Sequence, residues 1–349
     1  MKLLYLFLLI LFISCSSTTK DSDGSELYSG RLLYTAGPDH NQPDFDASKL
    51  DYLILHDLET GISKKLTTAK HRDNNPIFLN DEYILFESKR PCSGYATDDC
   101  PLKLFKMSIT SGNILEFNLA ISGTIDSLKA EIGKRDIYQS PIIKELNLLE
   151  NTEHQLRRPK LNSEKNLLAF SVQIFSDYYL VVYDMSKNTV IYTYEINFSR
   201  LNYYWSPNEN RLAHLGAFTD SDRPIKIIDF DNDSTTIIQL PLGQFRFSGW
   251  SSDGDAFLLS KPSLKLDNRY FQEPYLYHLD GVITEVNNTE IQSVEDWIYV
   301  TPNNHFIAQM VDSNNKLDLW FVDSEGNGIE RITNNGYRKK VTDIQLQMP

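Results

Sequence analysis

The residues of this 349-residue chain that could do chemistry fall into a few groups. Asp229 to Ser234 reads DFDNDS, with carboxylates at alternate positions as in a calcium loop. An EF-hand loop needs glycine at its sixth position and glutamate at its twelfth, and here these are Ser234 and Leu240. The segment is expected to be a solvated turn between two strands, and Asp220 to Asp222 reads the same way. The seven histidines, His40, His56, His71, His154, His214, His278 and His305, show no His-x-x-x-His spacing that would set two ligands on one helical face. Cys92 and Cys100 bracket CSGYATDDC, but two thiolates without a nearby histidine cannot fill a tetrahedral zinc shell. No Gly-x-Ser-x-Gly elbow, phosphate loop or dinucleotide fingerprint occurs. The reading is a non-enzyme with no cofactor, no metal site and no catalytic residue, although a glycosidase's two carboxylates could hide among 47 acidic residues.

Aromatic clusters offer binding rather than catalysis. They are FSRLNYYW at Phe198 to Trp205, SDYYLVVY at Ser176 to Tyr183 and NRYFQEPYLY at Asn268 to Tyr277. Alternation along strands predicts that most of these rings are core, and Lys261 to Pro274 is expected to be a long polar loop where recognition residues could gather.

The elements that would position such residues are repeated. WSPNENRLAHL (Trp205 to Leu215), WSSDGDAFLL (Trp250 to Leu259) and VTPNNHFIAQ (Val300 to Gln309) each place a polar turn between two apolar strands. PKLNSEKNLLAF (Pro159 to Phe170) and PIFLNDEYILF (Pro76 to Phe86) follow the same plan. The equivalent turn positions Asn80, Asn162, Ser206, Ser251 and Thr301 lie 82, 44, 45 and 50 residues apart, and 82 is about two steps of 41. Each unit continues into a third strand: LKLFKM from Leu102, YLVVYDM from Tyr179, IKIIDF from Ile225, YLYHLD from Tyr275 and LDLWFVD from Leu317. Four antiparallel strands per unit, rich in Tyr, Phe, Ile and Val, make a propeller blade, so the fold class is all-β.

HDLETGISKKLT (His56 to Thr67) with NNPIF (Asn74 to Phe78), and FVDSEGNGIERIT (Phe321 to Thr333), resemble the TolB-like propeller repeat. The resemblance covers roughly residues 27 to 349. It implies a β-propeller of four-stranded antiparallel blades that host binding modules and enzymes alike. In relatives of prolyl oligopeptidase such a propeller precedes a hydrolase domain, of which this chain carries no elbow motif. About 318 residues at ~46 per step favour seven blades, with six as the alternative if residues 119–154 are an insert. In the seven-blade reading Arg135 to Ser140 and Lys144 to Asn151 are strands; in the six-blade reading Ser127 to Arg135 is a helix and Ser140 caps a second one begun by Pro141. RLLYTA at Arg31 to Ala36 leaves little room for an innermost strand before it, so VTDIQLQM at Val341 to Met348 is expected to complete the first blade and close the ring.

The N-terminus reads MKLLYLFLLILFISC, whose apolar run from Leu3 to Ile13 is too short to span a bilayer. Ser14 followed by Cys15 resembles a bacterial lipoprotein signal, which implies lipidation of Cys15, with Phe12 departing from the usual leucine. The organisation expected is therefore a signal peptide at 1–14, a lipidated tether at 15–26, polar in SSTTKDSDGS, and a propeller at 27–349. With Cys15 acylated, Cys92 and Cys100 are left to pair as a disulfide worth roughly 2 to 3 kcal/mol. A net charge of −13 argues against nucleic acid as a partner. The expectation is an envelope lipoprotein, held by its N-terminal lipid at the outer membrane facing the periplasm, whose propeller binds an envelope protein; a glycan bound at the central channel is the alternative.

Overall fold

The computed structural model describes residues 29–37, 51–90, 100–135, 154–196, 202–215, 224–240, 246–266, 269–285, 299–300, 306–311, 317–322, 328–334 and 338–347. Strands β1 (Ser29–Gly37), β2 (Tyr52–Asp57) and β3 (Ser63–Lys65) open the first blade. β4 (Asn74–Phe78), β5 (Tyr83–Ser88), β6 (Lys103–Ser108) and β7 (Ile114–Glu116) form the second. Helix α1 (Ser122–Gly133) then leads to the third, β8 (Gln155–Leu161), β9 (Leu167–Ile174), β10 (Asp177–Asp184) and β11 (Thr189–Ile196). The fourth blade is β12 (Tyr203–Trp205), β13 (Arg211–Leu215), β14 (Ile225–Asp229) and β15 (Ser234–Ile238). The fifth is β16 (Arg246–Trp250), β17 (Ala256–Leu266), β18 (Arg269–His278) and β19 (Ile283–Glu285), and the sixth is β20 (Tyr299–Val300), β21 (Phe306–Val311), β22 (Leu317–Val322) and β23 (Gly328–Arg331). β24 (Arg338–Gln347) returns to pair with β1, from Ser29↔Gln347 to Gly37↔Arg338, and takes the innermost place in the first blade.

The described residues thus make six four-stranded sheets, which corrects the expectation of seven. The surplus length is the insert between β7 and β8. Ile125, Leu128 and Ile132 of α1 share one face and bury against Ile77, Leu85 and Leu104 of the second blade and Leu168, Phe170 and Val181 of the third. The helix starts at Ser122, five residues before the expected Ser127. The strands and second helix proposed beyond Arg135 lie outside the described residues. Lys261 to Pro274 is likewise no long loop: β17 and β18 run through it, pairing Lys261 with Glu273 and Lys265 with Tyr270.

Two side-chain devices recur and explain the repeat's residue choices. At the end of the third strand an aspartate turns the chain: Asp57 Oδ1 accepts from Thr60 N at 2.7 Å, Asp184 Oδ1 from Ser186 N and Lys187 N at 3.0 Å each, and Asp229 Oδ1 from Asp231 N at 3.1 Å and Asn232 N at 3.0 Å. Side-chain hydrogen bonds from Thr60 to Asp57, Lys187 to Asp184 and Asn232 to Asp229, with these backbone bonds behind them, hold all three carboxyls below the usual carboxylate range. DFDNDS is accordingly a turn, as expected, with Asp229 also bound to Arg211 Nε at 3.0 Å. After the fourth strand, Thr67 Oγ1 accepts from Leu53 N, and Thr333 Oγ1 from Leu319 N, each at 3.0 Å.

The closing blade meets the sixth through buried charges. Asp318 on β22 receives Lys339 Nζ of β24 at 3.0 Å and Thr333 Oγ1 at 2.9 Å, and its second oxygen meets Arg331. Burial pushes the Lys339 ammonium down to about 8 against the attraction of Asp318. Burial would push Asp318 up, but Arg331, Lys339 and Thr333 together hold its carboxyl below the ordinary value.

Candidate functional site

The innermost strands converge on a cavity of about 310 Å³ at the end of the central channel that carries the turns into the second strands. Phe78 of β4, Leu161 of β8, Tyr204 and Trp205 of β12, Gly249 and Trp250 of β16 and Asp343 of β24 bring five blades to it. Bulges shape these strands. The ladder slips between Asn74 and Ile77 in β4 and between Arg157 and Lys160 in β8, where Asn75 and Arg158 adopt φ of 48° and 53° and Pro76 and Pro159 follow. Proline is tolerated there because a bulge releases it from donating to the ladder. In β16 the slip lies between Phe247 and Gly249, and Gly249 takes a φ of 150° that L side chains rarely adopt, beside the Tyr204 ring.

The tryptophans that open the repeated turns tie neighbouring blades. Trp205 Nε1 donates to Lys160 O at 3.0 Å, and Trp250 Nε1 donates to Tyr204 O at 2.9 Å, so each indole bridges to the innermost strand of the blade before it. Asn202 Nδ2 donates to Phe247 O at 3.0 Å, reaching the blade after it. Tyr203 donates its hydroxyl to Arg158 O. The expected core role of the aromatic clusters is met by Tyr179, Tyr183, Tyr203, Trp205 and Tyr277, all buried. Tyr178, Tyr204 and Tyr275 are half-buried, and Tyr204 lines the cavity with Lys160 Nζ 4.1 Å from its ring centroid.

Five serines with Asn162, Lys165 and Asp343 supply the cavity with polar side chains. Asp343 Oδ2 accepts from Phe78 N at 2.8 Å, which joins the closing strand to the second blade. Among the repeated turn residues, Asn80 Oδ1 accepts from Tyr83 N at 3.0 Å, Asn162 Oδ1 from Leu167 N at 2.9 Å and Ser251 Oγ from Ala256 N at 2.8 Å. Ser206 holds the same turn through its backbone, donating to Arg211 O at 2.8 Å, but its buried Oγ has no protein partner. Thr301 lies outside the described residues.

No histidine joins this lining. His56 is buried with Nδ1 2.8 Å from Ser63 Oγ, and His278 Nε2 lies 3.4 Å from Thr284 Oγ1. His214 is fully buried, Nδ1 lying 3.0 Å from Leu215 O, and burial pushes its imidazole down to about 4. Among the described residues, no three His, Cys, Asp or Glu side chains gather as metal ligands would. Cys100 is buried and disulfide-bonded. Cys92 and Cys15, like His40 and His305, lie outside the described residues.

No protein-family model matches this sequence, and no curated protein does. Solved structures do match. TolB from Acinetobacter baumannii superposes with a TM-score of 0.55 at 11% identity, over 90% of this chain and 64% of that one. A putative TolB from Agrobacterium tumefaciens gives 0.52 at 9% identity, over 92% and 99% of the two chains. The fold is a TolB-like β-propeller. Hydrazine synthase of Kuenenia stuttgartiensis contains the same architecture, with a TM-score of 0.54 at 9% identity over 90% of this chain and 47% of that one. The likeness extends to the fold of this TolB-like propeller. Sequence reading found Trp205 and Ser206 through the repeat and Tyr204 through an aromatic cluster, and overlooked Asp343. The only signal for Asp343 was its place in the unmatched C-terminal strand, since neither its spacing nor its neighbours form a motif.

Proposed function

We propose that this chain is a protein-binding module that receives a partner's polypeptide segment at the channel mouth, and that it works in the bacterial cell envelope, anchored through lipid on Cys15 and facing the periplasm from the outer membrane. The observation that carries the reading is the cavity of about 310 Å³, which combines aromatic walls from Tyr204, Trp205 and Trp250 with serine and asparagine turns. Aromatic anchors ringed by polar, hydrogen-bonding turns on a rigid scaffold are the usual make-up of a recognition surface. The glycan alternative needs converging His, Arg and carboxylate side chains, whereas the lining has Asp343 and Lys165 as its charged members.

Crosslinking and affinity capture from detergent-solubilised envelopes test the binding. Wild type is expected to recover a partner that a Ser163→Arg, Ser252→Arg double variant, altered only in the turns lining the mouth, does not. Capture of nothing above background, or equal capture by both chains, would refute it. Palmitate labelling of wild type against Cys15→Ala tests the anchor, and equal labelling of the two would sink it. Cys92 is the proposed partner of Cys100, and peptide mapping without reductant should return the two in one crosslinked fragment.

A further inference from the structure

The outer turns on the cavity face are not alike. In a blade of antiparallel strands the inner turn, from first to second strand, and the outer turn, from third to fourth, share one face. Hydrogen bonds join the two: Leu279 N donates to Asp255 O and Phe230 N to Asn210 O at 3.0 Å each, and Ile109 N donates to Glu82 O at 2.8 Å. That face carries the cavity, since Ser163, Ser206 and Ser251 of the inner turns line it. In the second, third and fourth blades the exposed residues of the outer turns are polar, as Ser111, Asn188 and Asn232 are. In the first and fifth, aliphatic side chains stand there instead: Ile62 is 65%, Val282 53%, Ile283 41% and Leu279 38% exposed. Backbone bonds hold these turns in shape, with Asp57 N donating to Ile62 O at 2.9 Å and His278 N to Val282 O at 2.8 Å.

The chain enters the propeller on this same face. β1 is a second strand, so Ser29 starts from the cavity side, where Arg31 Nη1 donates to Asp81 O at 3.0 Å in the inner turn of the second blade. Gly30 O accepts from Leu58 N at 2.9 Å, at the start of the outer turn that exposes Ile62. Ser29 follows Cys15 by 14 residues, which span at most about 50 Å. A path to the opposite face, past two strand spacings and along the nine residues of β1, takes up roughly 40 Å of that reach. The cavity face needs none of it. A lipid on Cys15 and the exposed aliphatic turns therefore belong to one side of the molecule.

We infer that the cavity face rests on the lipid bilayer, tilted so that the outer turns of the first and fifth blades enter the headgroup layer while the polar turns of the second to fourth stand clear of it. The inference rests on the Cys15 anchor of the proposed function, to which these turns add the second membrane signal that a stable attachment uses. The net charge of −13, with Glu59 and Asp280 in the same two turns, selects zwitterionic over anionic headgroups. The cavity then opens beside the membrane surface.

Hydrogen exchange tests the inference on the mature chain from Cys15, coupled through that thiol to a maleimide-bearing lipid in phosphatidylcholine vesicles and compared with the same chain coupled to a soluble maleimide. Cys100, being disulfide-bonded, does not compete for the label. The bilayer is expected to slow exchange at residues 59–62 and 279–283 by about tenfold or more. Residues 110–113, and the hairpin tip at 175–176 on the opposite face, should exchange as before. Ile62→Ser, Val282→Ser and Ile283→Ser together should remove the protection; all three positions are exposed, so an unchanged thermal transition will confirm that the variant folds. Unchanged exchange at both turns, protection centred on 175–176, or protection that the triple variant retains would each overturn the inference. Because the coupling is chemical, these outcomes do not depend on the palmitate labelling, which by itself decides the anchor in cells.

Discussion

His214 and Trp250 show how single side chains settle the joints between blades. His214 has no exposed surface, packs 4.8 Å from the Tyr194 ring centroid of the preceding blade and has an Nε2 without a hydrogen-bond partner. Its imidazole titrates near 4 in the folded chain against 6.5 unfolded, so the unfolded state binds the proton more tightly. Its contribution is present above pH 6.5 and is lost as pH falls toward 4, by roughly 3 kcal/mol in all. His214→Phe should flatten the fall in thermal midpoint across that window, as scanning calorimetry at stepped pH would show; an unaltered profile would assign the acid sensitivity elsewhere. Trp250→Phe keeps much of the ring packing against Phe257 but leaves the Tyr204 carbonyl without its indole donor, a loss of about 1 to 3 kcal/mol by denaturant titration. These roles were partly legible. The repeat singled out Trp205 and Trp250 because a residue that bridges blades must recur at the blade period, whereas nothing around His214 in the sequence distinguished a buried imidazole from an exposed one.

At the scale of elements, the seam between β22 and β24 concentrates the closure in a few groups. Lys339 and Asp318 both have fully buried side chains; replacing Asp318 takes away the carboxylate that Lys339 meets, whereas replacing Lys339 leaves Asp318 still held by Arg331 and Thr333. Asp318→Asn should lower stability by about 3 to 5 kcal/mol and Lys339→Met by less, and the double variant should cost well below their sum. Additive losses in chemical denaturation would mean that the two groups do not act as a pair. Strands were the most readable elements: second and third strands such as β5, β9 and β10 are buried on both faces and appear as near-continuous apolar runs. The Lys261 to Pro274 segment was misread because its polar residues break the apolar alternation by which a strand is recognised, although its backbone pairs as β17 and β18. Helix α1 was legible only as an alternative, for its apolar positions Ile125, Leu128 and Ile132 fit a helical face but carry no capping side chain to mark where it starts.

For the whole molecule, ring closure was foreseeable from a first unit short of an innermost strand and one unmatched strand at the C-terminus, while blade number was not. Dividing length by period counts an insert as a blade, whereas α1, within that insert, packs into the joint between the second and third blades. Deleting residues 341–349 removes most of β24's ladder with β1 together with Asp343, and should abolish the cooperative thermal transition; a truncated chain melting as wild type does would refute the seal. The pairing of Ser29 with Gln347 also dictates timing. Whatever blades form as the chain emerges, the first cannot be completed until residue 347 is free, so the ring has an obligatory last step of very long sequence separation. Until then β1 presents a bare edge, and any factor that shields nascent chains has its longest task at the strand made first.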